Sequence, residues 1–215
     1  MTGKTLLIAG ATGLVGSHAL RLALADARVE RVVAPTRRPL PAHPKLLNPI
    51  EDFAHLPPLA PWWRVDGVVC ALGTTMAKAG SKAAFEAVDY EMSLAVARLA
   101  LRHGAQAFAL NSALGADPDS RVFYSRVKGE LEQSLRAMKN PGYPSLTFVR
   151  PGLIGGERSE HRRGESLAII ATRLVSPLLP RRYRLVPAER IAHHLVEAAL
   201  AAAPGVTVLE SEQLI

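Results

Sequence analysis

The chain has 215 residues, nearly half of them hydrophobic, which suits one α/β domain with a sizeable core and excludes both a disordered chain and two ordinary domains. Its one cysteine, Cys70, excludes an internal disulfide and fits a reducing compartment. The net charge of +7 comes without a long basic run or an aromatic platform. A nucleic-acid partner is therefore not expected, and anionic small molecules or a solvated surface account for the charge.

The N-terminal residues Met1-Thr2-Gly3-Lys4-Thr5 run straight into a strand-like segment with no apolar signal core, so a cytoplasmic protein is expected. Residues 5–9 form an apolar run suited to a strand buried on both faces. Residues 14–25 have helical periodicity, and 31–35 read as a second strand. The proline-rich stretch 35–61 holds a short edge strand at 45–50. Residues 66–71 are the next buried strand. A long helix over 81–103 carries Phe85, Val88, Met92, Val96 and Leu99 on its apolar stripe, and Gly104 suits its C-cap. A strand at 107–110 ends at Asn111-Ser112, and a helix over 120–138 carries Tyr124 and Lys128. The strand 146–149 stops at Arg150-Pro151-Gly152. Helices near 165–174 and 187–202 and a strand at 206–209 complete the chain. The apolar stretch 166–179 is interrupted by Arg173 and is too short to span a bilayer.

Alternating strands and helices with short connections predict an α/β fold with a doubly wound, mostly parallel sheet. One domain, 1–215, is expected. Long helices of the kind at 81 and 120 can pair subunits, so a homodimer is a candidate assembly.

The loop between the first strand and first helix reads Gly10-Ala11-Thr12-Gly13-Leu14-Val15-Gly16. Glycines there allow a tight turn and close approach of a pyrophosphate, and the helix N-terminus offers free N–H groups. Gly10, Thr12, Gly13, Leu14, Val15 and Gly16 are the expected cofactor contacts. An acid after the second strand would select NAD, whereas this chain has Arg37 and Arg38. A guanidinium suits a 2′-phosphate, so NADP(H) is expected over NAD(H). Leu72, Gly73 and Thr74, after the strand 66–71, are expected beside the cofactor, as are Pro151 and Ile154.

Tyr124 and Lys128 lie four residues apart and share a helix face. A nearby ammonium stabilises a phenolate, so Tyr124 can exchange a proton with a carbonyl or alcohol oxygen as hydride moves. Lys128 also suits the nicotinamide ribose hydroxyls, and Ser112 suits a hydrogen bond to the substrate oxygen. A small-molecule substrate is thus expected. Cys70, Trp62-Trp63 and His193-His194 read as packing residues, with no metal-ligand spacing. The cluster Arg181, Arg182 and Arg184 reads as solvated surface.

Gly10-x-x-Gly13-x-x-Gly16, Ser112, Tyr124-x-x-x-Lys128 and Arg150-Pro151-Gly152 together resemble the short-chain dehydrogenase/reductase superfamily in its atypical or extended branch. More narrowly, Cys70 to Thr75, Lys78-Ala79-Gly80, Val88-Asp89 and Tyr124 to Glu130 resemble the Tat-interacting-protein-type oxidoreductases. The resemblance implies a Rossmann-like, NAD(P)-binding fold, NADP(H) binding, proton transfer by Tyr124 with Ser112 and Lys128, and a substrate pocket to which the tail after Pro151, residues 151–215, contributes. Val88-Asp89 stands where an Asn often supports a proton-relay water, which puts that relay in question. Members of the narrower type often lack a defined substrate, and some look like regulators. Two other readings stay open: an NADPH-binding regulator or sensor with little turnover, and an epimerase or dehydratase that retains its cofactor.

Overall fold

The computed structural model describes residues 3–138, 142–155 and 180–215. Its strands are β1 (Lys4–Ala9), β2 (Val29–Val33), β3 (Leu46–Leu47), β4 (Gly67–Cys70), β5 (Ala107–Asn111), β6 (Ser145–Arg150), β7 (Leu153–Gly155), β8 (Leu185–Pro187) and β9 (Gly205–Glu210). Seven of them form one sheet in the order β3-β2-β1-β4-β5-β6-β9, and every neighbouring pair runs parallel. The expected doubly wound α/β fold is present.

The apolar runs are continuous because alternate residues serve two cores. Leu6, Ile8, Val69 and Ala109 face a cluster with helices α1 (Leu14–Ala25) and α6 (Ala188–Ala201). Leu7, Val68, Cys70, Phe108 and Leu110 face the opposite cluster. There they meet Trp63, helix α4 (Ser93–Arg102) and helix α5 (Phe123–Arg136). Trp63 is fully buried and its indole N–H donates to the Pro57 carbonyl at 2.8 Å.

The expected helix 81–103 is two α-helical pieces, α3 (Lys82–Glu86) and α4, joined by a π-helical turn at Ala87–Met92. A short helix, α2 (Met76–Ala79), precedes them. The second strand sits two residues earlier than expected. Its ladder with β1 pairs Lys4 with Val29 and Leu7 with Val33, and Pro35 has no N–H to extend it. The edge strand expected over 45–50 is reduced to β3 plus one bridge, Thr36 to Ile50. The pair β7–β8 forms a separate small sheet. The helix expected near 165–174 and the apolar stretch 166–179 lie outside the described residues. Among the described residues no helix is long and apolar enough to cross a membrane.

Strand order reverses its direction of growth between β1 and β4. In open α/β sheets, ligands bind outside the carboxyl ends of strands at such a switch point.

Candidate functional site

The three loop glycines have distinct duties. Gly10 has φ +86, and a Cβ there would lie 2.6 Å from the Ala71 carbonyl oxygen. A Cβ on Gly16 would lie 2.0 Å from the Gly10 carbonyl oxygen. Both glycines let α1 and the β4 loop close on β1. Gly13 is different: it is exposed, and its Cβ would meet nothing nearer than the Gly10 oxygen at 3.3 Å. It starts α1 without a side-chain cap and without an acid in the first turn. The first-turn amides of Leu14 and Val15 have no intrahelical acceptor, and Thr12 is exposed beside them. Arg37 and Arg38 are exposed after β2. The Thr36 hydroxyl donates to the Arg38 carbonyl at 2.7 Å, and the Asn48 amide donates to Thr36 Oγ1 and to the Ala34 carbonyl, which fixes this turn.

The loop after β4 crosses a buried ion pair. Lys128 Nζ lies 2.7 Å from Asp89 Oδ1, with side chains 4% and 1% exposed. Asp89 Oδ2 accepts the Thr74 N–H at 2.7 Å. A Cβ on Gly73 would lie 3.3 Å from Asp89 Oδ1 and 3.8 Å from Lys128 Nζ. Burial pulls the Lys128 pKa down, but the charge of Asp89 and its hydrogen bond oppose this and the value lies above the usual lysine range. Lys128 is therefore a cation.

Tyr124 stands one helical turn before Lys128 and is 39% exposed. Its ring packs on Phe85, with centroids 5.7 Å apart. Tyr124 borders a cavity of about 320 Å³ together with Ser112, Leu114, Pro151, Ile154 and Tyr183. None of the described lining residues is charged. A second hollow of about 400 Å³ lies along α1 and holds none of the expected site residues.

Ser112 is buried at the end of β5, and its hydroxyl meets Glu132 Oε1 at 2.6 Å. Arg150 holds the same carboxylate through Nε at 2.9 Å and Nη2 at 2.6 Å. A carboxylate so held accepts only, so Ser112 donates to it. The Ser112 proton thus points at Glu132. Arg150 also reaches Glu210 at 3.0 Å, which ties β9 to the same cluster. Leu114 N–H donates to the Pro151 carbonyl at 2.9 Å, so the Arg150-Pro151-Gly152 turn abuts the segment after β5. Burial raises the Cys70 thiol pKa, as suits a packing residue.

The structure thus gathers Gly13, Gly73, Thr74, Tyr124, Lys128, Ser112, Pro151 and Ile154 at the carboxyl ends of β1, β4, β5 and β6. Sequence reasoning missed Glu132, Arg150 as its partner, and Asn111. The Asn111 Oδ1 is buried without a hydrogen-bond partner. Glu132 was legible only as one turn beyond Lys128 on the same face. Among the described residues no cluster suits a metal ion.

No family model matches the chain. Among known proteins it is similar to the protein FMP52, mitochondrial, of Eremothecium gossypii, with 33% identity over 173 residues covering 79% of this chain and 75% of that one. The protein fmp52, mitochondrial, of Aspergillus niger is 35% identical over 168 residues, covering 74% and 70%. Among solved structures, MoeE5 in complex with UDP-glucose and NAD matches with a TM-score of 0.71 at 16% identity, covering 96% of this chain and 75% of that one. A short chain dehydrogenase family protein from Francisella tularensis matches with a TM-score of 0.69 at 14% identity, covering 99% of each. The fold is therefore the one these Rossmann-type proteins share. The curated relatives are named mitochondrial, which overturns the expected cytoplasmic location. A lone cysteine fits any reducing compartment and so does not separate the two locations. By the extent of its likeness to these relatives, the chain belongs to the FMP52 family.

Proposed function

We propose that the protein is an NADP(H)-dependent oxidoreductase of the short-chain dehydrogenase/reductase type, acting on a small carbonyl or alcohol with an apolar body. The observation that carries this reading is Tyr124 at the mouth of an apolar cavity with the buried Lys128 cation one turn behind it.

The residues fit a dinucleotide. Gly13 leaves backbone open to a pyrophosphate at an uncapped helix N-terminus that carries no acid. Lys128 spends one donor on Asp89 and keeps two for ribose hydroxyls. Asn111 Oδ1 is an unused acceptor beside Ser112. Arg37 and Arg38 are exposed where a 2′-phosphate would lie. Bound there, the nicotinamide supplies or takes the hydride. Tyr124 supplies the proton to the carbonyl oxygen, or removes it from the alcohol. Lys128 holds positive charge behind the phenol. Ser112 and Glu132 fix the segment that forms the cavity wall. Leu114, Ile154 and Tyr183 receive the apolar part of the substrate. Such a lining favours neutral apolar carbonyls over nucleotide sugars.

The test is a panel of aldehydes and ketones scored by NADPH consumption, with Tyr124→Phe as control. Consumption that Tyr124→Phe lowers about a hundredfold or more supports the reading. Consumption equal in both proteins contradicts it.

A further inference from the structure

Asp89 is 1% exposed, and its two oxygens serve two different elements. Oδ1 takes Lys128 Nζ from α5 and Oδ2 takes the Thr74 N–H from the loop after β4, both at 2.7 Å. The π-helical turn that carries it interrupts an otherwise regular helix, and such turns recur at functional sites. A buried ion pair is a poor stabiliser beside apolar residues of the same volume. Stability alone therefore gives no reason for a charge pair at this point, 3.3 Å from where a Gly73 Cβ would sit.

We infer that Asp89 is a positioning residue that locks the Lys128 ammonium and the Gly73–Thr74 backbone into one cradle, set before a nucleotide arrives. The inference rests on the nicotinamide-binding reading of the site. The groups that face Lys128 are Asp89 from the π turn, Tyr124 on α5 and the neutral thiol of Cys70 from β4.

The test uses the full chain with Asp89→Asn. Lys128 and Thr74 use different oxygens of Asp89, and in Asn one of those two positions becomes an NH₂ donor, so one of the two contacts loses its acceptor. Three quantities are read: the titration of Lys128 by carbon-13 NMR of the labelled lysine side chain, amide exchange at Thr74, and NADPH affinity by nicotinamide fluorescence. In the wild type Lys128 stays charged past the pH at which ordinary lysines titrate. In Asp89→Asn, burial acts without its counter-charge, and the Lys128 midpoint falls below that of the exposed lysines. Thr74 exchanges at least about tenfold faster, and the NADPH Kd rises about tenfold. Lys128→Met serves as the second variant, and stands in if Asp89→Asn does not fold. It weakens NADPH binding while Thr74 stays protected, because Asp89 still accepts its N–H. Asp89→Asn binding NADPH as the wild type does would overturn the inference, as would a Lys128 titration that does not move. If Lys128→Met leaves NADPH binding unchanged, the cradle has no role in binding and the inference falls. Failure of the wild type itself to bind NADPH would overturn the underlying nicotinamide reading, while the Lys128 and Thr74 measurements would still report on the clamp.

Discussion

Ser112 and Glu132 meet at 2.6 Å inside the protein, and Arg150 closes the contact from the end of β6. The Ser112 hydroxyl therefore has its proton engaged within the fold. Ser112→Ala removes one hydrogen bond but leaves Glu132 paired with Arg150, so it costs about 1 kcal/mol of stability. It lowers turnover by no more than about tenfold, whereas Tyr124→Phe lowers it by about a hundredfold or more. Glu132→Ala removes the buried carboxylate that both Ser112 and Arg150 hold, leaves Arg150 with Glu210 alone, and costs more stability than Ser112→Ala. Urea denaturation gives the stabilities, and steady-state rates give the contrast between Ser112 and Tyr124.

Gly13 and Gly16 are separable by substitution. An added Cβ at Gly16 would overlap the Gly10 carbonyl at 2.0 Å, whereas at Gly13 the nearest atom is 3.3 Å away. Gly16→Ala should unfold the protein or lower its melting temperature sharply. Gly13→Ala should keep stability within about 1 kcal/mol and yet weaken nucleotide binding at least about tenfold, because the methyl group stands where the pyrophosphate approaches. Thermal melts alongside NADPH titrations check both halves.

Much of this was legible in the sequence, and the reasons are physical. Strands buried on both faces read as continuous apolar runs, so β1, β4, β5 and β6 were found within a residue or two of their ends. Tyr124 and Lys128 were found because four residues make one turn. The Asp89 clamp and the Glu132 network were not legible, since each depends on residues brought together only by the sheet, such as Thr74 with Asp89. Three-residue strands like β7 and β8 are too short to carry a period. Ser112 was found as a position, but its partner was set by α5 packing over β5 and β6.

Arg37 and Arg38 should govern the choice of nucleotide. Changing both to Ala should raise the NADPH Kd at least about tenfold, a loss of about 1.4 kcal/mol or more, and leave the NADH Kd within about twofold. Parallel titrations with the two nucleotides decide it, and equal effects on both would contradict the assignment.

Acid stability should depend on Arg28, which bridges Asp26 at 2.6 Å and also pairs with Glu197. Hydrogen bonds from Arg28 hold both carboxyls below their usual values. A depressed carboxyl pKa contributes stability that is present above the unfolded value, 3.8 for Asp26 and 4.5 for Glu197. That contribution is lost as pH falls through the folded values. Arg28→Met should therefore be less stable than the wild type at neutral pH, and the difference should shrink below about pH 4. Denaturation at a series of pH values gives the two curves, and curves that stay parallel into acid would contradict the pairing.

The measurement that bears most directly on the central claim is a fluorescence titration of the purified protein with NADPH, repeated with Lys128→Met. The account predicts saturable NADPH binding, tighter than NADH binding, that Lys128→Met weakens at least about tenfold. Absence of saturable binding by the wild type, or equal binding by Lys128→Met, would contradict it.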